Sequence, residues 1–149
     1  YGPAGRPDMS PFRFIRWIAE GEPVRIFGDG SQSRDYTYVD DIARGTIAAL
    51  RPLGYATINL GSDAPVSLFE MARSVEQIVG REASYEKRPA ADADVKATWA
   101  DISEGRRLLG WEPGTALREG LERTWRWYEA NREWARAIAL EDRSERGQS

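Results

Sequence analysis

The chain of 149 residues predicts an α/β fold, mostly helices with a few short strands. Three observations predict it. Apolar residues recur at helical spacing in several segments, each bounded by a capping residue or a glycine. The β-rich runs "PVRIF", "RDYTYV", "ATINLGS" and "ASYEKRP" are short and scattered among those helices. A self-contained parallel sheet needs more strands than this, so the pattern reads as part of a larger α/β unit.

The elements follow in order. "YGPAGRPDM" alternates Gly and Pro and reads as a loop. Ser10 then caps a helix with Pro11 at its first position. Phe12, Ile15 and Ala19 recur along it, and Gly21 ends it. "PVRIF" is a strand, "GDGSQS" a turn, and "RDYTYV" an extended run. Asp40 or Asp41 caps the next helix, over 42–50. "ATINLGS" follows as a strand, which as a lone strand would leave its backbone groups unpaired. Ser67 and Glu70 have capping-box spacing, with Val66 and Met71 as the matching staple, and Gly80 stops that helix. "ASYEKRP" is a strand and "AADADVKATW" a loop. Asp101 and Glu104 repeat the capping-box spacing before a short helix ending near Gly110. Thr115 caps the last long helix, where Leu117, Leu121, Trp125 and Tyr128 share a face. One domain is expected over 1–140. The charged, apolar-poor segment 141–149 reads as a disordered tail.

Composition excludes several function classes. Charged residues make up 30%, hydrophobic ones 41%, and the net charge is −3, which describes a soluble globular domain without a basic nucleic-acid footprint. No apolar run reaches the roughly 18 residues that a membrane span needs. Zero cysteines exclude disulfides, thiolate catalysis and cysteine zinc sites, and fit a cytoplasmic location. Zero histidines remove the commonest general base and the commonest metal ligand, so no metal site is expected.

Five features carry candidate chemistry. "GDGS" leads into an extended run rather than a helix, which favours a tight turn over a phosphate loop. Asp40 and Asp41 are explained by helix capping before acid–base catalysis. Six tryptophans suggest carbohydrate stacking or, more economically, packing. The arginines of the C-terminal helix are matched by glutamates, which describes an ion-paired surface. Arg34, within "SRDYTYVDD", is by itself an ordinary surface charge.

Several motifs together change that reading. "YGPAGRPDMSPFRFI", "GEPVRIFGDGSQSRDYTYVDDIARGTIAAL", "INLGSDAPVSLFEMARSVEQIVG" and "ATWADISEGRRLLGWEPGTALREGLERTWRWYE" resemble, in order and spacing, the C-terminal half of nucleotide-sugar epimerases and dehydratases. These are extended short-chain dehydrogenase/reductase proteins. The opening "YGPAGRPDM" leans toward the UDP-glucuronate 4-epimerase-like subgroup.

The resemblance implies a substrate-binding C-terminal portion without the N-terminal NAD-binding Rossmann half. In the family that half holds the NAD and the catalytic Tyr-x-x-x-Lys. No Tyr here is followed four residues later by Lys. The chain alone is therefore expected to hold no cofactor and to be inactive. The implied ligand is a UDP-sugar-like nucleotide diphosphate. Arg34 matches the arginine on the diphosphate, a role suited to a permanently charged fork of donors. Arg25 and Phe27 match the strand beside the uracil. Asp94 matches an acidic residue on nucleotide or ribose groups. Arg6 lies in a loop facing the sugar.

The sequence also departs from the family pattern. A second phosphate arginine is replaced by Ala91, with Asp92 beside it and Arg88 near enough to substitute through a shifted loop. Glu104 and Gly105 stand where a Lys-Ala-like pair is frequent. The rival expectation is an interaction protein that kept the fold and lost the ligand, and associates as a homo-oligomer through exposed edges. A third is one half of a split enzyme whose N-terminal half comes from another chain.

Overall fold

The computed structural model describes residues 1–89 and 95–140. The elements run α1 (Ser10–Glu20), β1 (Val24–Phe27), β2 (Ser33–Arg34), α2 (Val39–Ala48), β3 (Val66–Ser67), α3 (Leu68–Val79) and β4 (Tyr85–Arg88). A π-helical turn (Gly105–Leu109), α4 (Leu117–Ala130) and α5 (Arg132–Ala137) complete them.

Three helices and one strand make the core. α1 packs on α3 and α4, and α3 packs on α4. α1 buries Phe12, Phe14, Ile15, Trp17 and Ile18; β1 adds Val24 and Ile26; α3 adds Met71, Ala72 and Val75; α4 adds Leu121 and Tyr128. Each large apolar side chain buried this way contributes about 1.5–3 kcal/mol. Leu117 and Trp125 pack partly buried on the same cluster, as the spacing of α4 predicts. The Tyr128 hydroxyl leaves the core by donating to Glu20 Oε1 at 2.9 Å, and Arg132 Nε donates to the same oxygen at 2.9 Å. That pair ties α4 and α5 to the end of α1.

The strands form two small ladders. β1 and β4 run parallel, with Val24 opposite Tyr85 and Phe27 opposite Arg88. β2 and β3 run antiparallel, with Ser33 opposite Ser67 and Arg34 opposite Val66. A parallel bridge from Ser33 to Ala97 adds a third segment beside β2.

Several element boundaries differ from the sequence expectation. "ATINLGS" is not a strand; among the described residues no neighbouring edge takes up its backbone groups, and Ile58 and Leu60 instead lie close over Gly105 and Gly45. The strand before α3 is Val66–Ser67. "RDYTYV" keeps ladder pairing only at Arg34. α1 is capped by Met9 without a side-chain bond, so Ser10 lies inside the helix. α2 starts from Tyr38, which puts Asp40 and Asp41 in its first turn rather than at the cap. α4 starts from Ala116; the Thr115 hydroxyl, like its N–H at 2.9 Å, is bonded to the Asp41 carboxylate rather than to the helix. Asp101 accepts the Ser103 N–H at 2.9 Å, while Glu104 pairs with Arg107 instead of closing a box. The last helix is interrupted at Asn131. By contrast, the Ser67–Glu70 capping box forms in full, and Gly21 and Gly80 end their helices in the left-handed region. Among the described residues no helix is long and apolar enough to cross a membrane.

Candidate functional site

β1 divides its four side chains between two environments. Val24 and Ile26 are fully buried in the core, while Arg25 and Phe27 face the other way, as a strand's two-residue period requires. That outer face is one wall of a cleft of about 780 Å³. The loop before α1, residues of α1 from Ser10 to Trp17 and the segment from Gln32 to Val39 form most of the rest, with Leu68, Thr98 and Thr124 at its sides.

Four of the six sequence-predicted residues meet in this cleft: Arg6, Arg25, Phe27 and Arg34. They come from three separate segments. Arg34 Nη1 donates to the Ser33 carbonyl at 2.8 Å. Arg25 lies over the Trp17 ring at 5.8 Å and pairs with Glu86 at 3.5 Å. Arg6 is engaged by Asp8 through two bonds of 3.1 and 2.6 Å, which raises the pKa of the guanidinium. Arg88 does not line the cleft. It ends β4 opposite Phe27, pairs with Glu86 at 2.9 Å, and its carbonyl accepts the Gly28 N–H at 2.9 Å. Asp94, Ala91 and Asp92 lie outside the described residues, as does 141–149.

Sequence reasoning missed Arg13 and Trp17. Both line the cleft, and Arg13 is buried with its guanidinium 5.7 Å from the Trp17 ring centroid. Two arginines therefore share one indole, each contact contributing about 0.5–2 kcal/mol. The signal was available: Arg13 interrupts an apolar helical run and stands four residues before Trp17. Gln32 was also missed; its Nε2 donates to the Phe27 carbonyl at 2.7 Å and braces the turn between β1 and β2.

That turn is the "GDGS" segment. Gly28 and Gly30 have φ of 70° and 73°, and the Asp29 carboxylate accepts both the N–H and the hydroxyl of Ser31. These bonds hold the Asp29 carboxyl below its ordinary pKa. No helix begins here, so the turn does not fit the pyrophosphate of a dinucleotide cofactor. Among the described residues no group of His, Cys, Asp or Glu is placed to hold a metal ion.

The carboxylate of Asp41 faces away from this chemistry. It is buried, accepting the N–H groups of Gly114 at 3.1 Å and Thr115 at 2.9 Å and pairing with Arg44. It clamps the loop before α4 onto α2.

The cleft combines four arginines with two aspartates and several aromatic rings, a lining suited to an elongated ligand with an anionic section and a flat ring. The fold is that of α/β epimerase structures. A UDP-glucuronic acid 4-epimerase from Bacillus cereus, solved with UDP-glucuronic acid and NAD, superposes with a TM-score of 0.82 at 38% identity, over 87% of this chain and 42% of that one. An epimerase from Methanothermobacter thermautotrophicus gives 0.87 at 37% identity, over 95% and 44%. In sequence, residues 1–61 match the NAD dependent epimerase/dehydratase family. A UDP-glucuronate 4-epimerase from Thermodesulfobacterium geofontis is 55% identical over 141 residues, which is 94% of this chain and 44% of that protein. The chain belongs to the NAD dependent epimerase/dehydratase family and spans less than half the length of these relatives.

Proposed function

We propose that this chain is the nucleotide-sugar-binding portion of an epimerase or dehydratase, acting in the cytoplasm on a UDP-sugar-like ligand. The supporting observation is that Arg25, Phe27, Arg34 and Arg6, from separate segments, line one cleft. Arg34 binds the diphosphate, Arg25 and Phe27 flank the base, and Arg6 lies toward the sugar. By resemblance to the family, Asp94 is assigned to nucleotide or ribose groups and Arg88, which does not line the cleft, to the role of the second phosphate arginine. The chain carries neither a dinucleotide loop nor a Tyr-x-x-x-Lys pair. Hydride transfer therefore requires a further NAD-binding portion, in the same protein or from another chain, and this chain by itself is inactive.

Calorimetric titration with UDP and UDP-glucuronate tests the binding. Saturable heat is expected, weakened about ten- to a hundredfold in Arg34→Ala, because a charge-assisted hydrogen bond contributes roughly 1.5–3 kcal/mol. Absence of heat with both ligands overturns the reading. Epimerisation of UDP-glucuronate by the chain alone overturns its inactivity.

One observation favours self-association as well. α2 and the loop after it expose Ile47 at 67%, Leu50 at 82% and Tyr55 at 100%. Apolar side chains left in water this way favour association, and we infer that a second copy of the chain covers them. Light scattering should give at least a dimer at micromolar concentration; a monomer removes this reading.

A further inference from the structure

We propose that Asp35 is a positioning residue for Arg34, holding the arginine's strand in place without touching the ligand. The inference rests on the reading of the cleft as a nucleotide-diphosphate site. β2 is only two residues long, so its ladder with β3 cannot fix it. The neighbouring segment adds two bonds: Ser33 N–H donates to the Lys96 carbonyl at 3.0 Å, and Thr98 N–H donates to the Ser33 carbonyl at 3.2 Å. The Ser33 carbonyl also receives Arg34 Nη1, so the direction of the guanidinium is tied to the position of this backbone.

Asp35, joined to Arg34 through one planar peptide, anchors that backbone from the other end. Its Oδ1 accepts the Ser62 N–H at 2.8 Å and the Ser62 hydroxyl; its Oδ2 accepts the Ala100 N–H at 3.1 Å. The Asp35 N–H donates to Thr98 Oγ1 at 3.3 Å. The approach is close: a Cβ added to Gly61 would come within 2.7 Å of Asp35 Oδ2. Three donors occupy the two carboxylate oxygens, so Asp35 is engaged by protein although it lines the cleft beside Arg34. These donors come from loops around residues 62 and 100, not from the core of α1, α3 and α4. Removing the carboxylate loosens the frame of Arg34 and leaves the core packed.

NMR titration of the chain with UDP and with uridine separates positioning from a general structural role. Asp35→Ala is expected to weaken UDP binding about tenfold, the scale of a modest misplacement, and to leave uridine affinity unchanged. Asp35→Asn should fall between, since it keeps one acceptor oxygen but turns an amide donor toward Ala100 or Ser62. Equal losses for UDP and uridine, or a UDP loss below about twofold, overturn the proposal. If Asp35→Ala does not fold, Asp35→Asn decides by the same comparison. Wild-type chain that binds no UDP overturns both the proposal and the reading beneath it. Wild-type binding that is lost in Arg34→Ala but unchanged in both Asp35 variants overturns the proposal alone.

Discussion

The Trp111 indole N–H donates to the main-chain carbonyl of Asp41 at 2.9 Å, across seventy positions of sequence. The same residue's carboxylate accepts the N–H groups of Gly114 and Thr115, so one aspartate closes the loop before α4 onto α2. Asp41→Ala leaves both N–H groups without their acceptor. A loss of about 1–3 kcal/mol is expected in urea unfolding, the range for buried donors left without their acceptor. A loss under about 0.5 kcal/mol would show that the clamp is dispensable.

Asp41 also predicts an acid-sensitive limb. Burial pushes its carboxyl upward, but Arg44 and the two backbone N–H groups outweigh this and hold it below the ordinary value. A carboxyl depressed in the folded state contributes stability that is complete above its unfolded pKa of about 3.9. That contribution is lost as pH falls through the folded value. Asp41→Asn should flatten the dependence of unfolding free energy on pH below about 4. An unchanged slope would assign the acid limb to other carboxylates.

Gly30→Ala tests the turn beside the cleft. Gly30 sits at φ +73°, and an added Cβ would come within 2.6 Å of Phe69 Cδ2 and 2.9 Å of Ile26 Cγ2. Backbone strain and the collision with a buried strand residue together should cost about 1–3 kcal/mol. UDP affinity should fall too, because Arg34 follows this turn. A variant as stable as the wild type would contradict the geometry.

Ser67→Ala opens the capping box at the start of α3. It removes the acceptor of the Glu70 N–H, 3.2 Å away, and should cost about 1 kcal/mol by thermal unfolding. Glu70→Ala, which frees the Ser67 N–H now bonded at 2.9 Å, should cost a similar or smaller amount. The double variant should lose less than the sum, since the two bonds act as a unit.

Ile47→Glu tests the inferred contact between copies. A charge at this exposed position should convert the oligomer to a monomer in light scattering, without lowering the unfolding midpoint of the monomer. An oligomer of unchanged size would place the contact elsewhere.

The helices were largely legible in the sequence because their signals are local. Ser67 with Glu70, and Gly21 and Gly80 at the ends, act within a turn of chain. The errors fell where a distant group took over. Thr115 reads as a cap, yet its hydroxyl and N–H both serve Asp41; "ATINLGS" reads as a strand, yet among the described residues no edge receives it. Within the cleft, Arg25, Phe27, Arg34 and Arg6 were legible through family motifs. Arg13 was not, because a charge on a helix reads as solvated until tertiary packing brings it against Trp17.

The alternation along Val24–Phe27 makes hydrophobic anchorage and cleft wall inseparable in register. A one-residue deletion within this segment would send arginine inward and valine or isoleucine outward, forfeiting core packing and cleft lining in a single step. The lining of this wall is therefore free to evolve by exchange of Arg25 or Phe27, whereas any change in the length of the strand is closed to it.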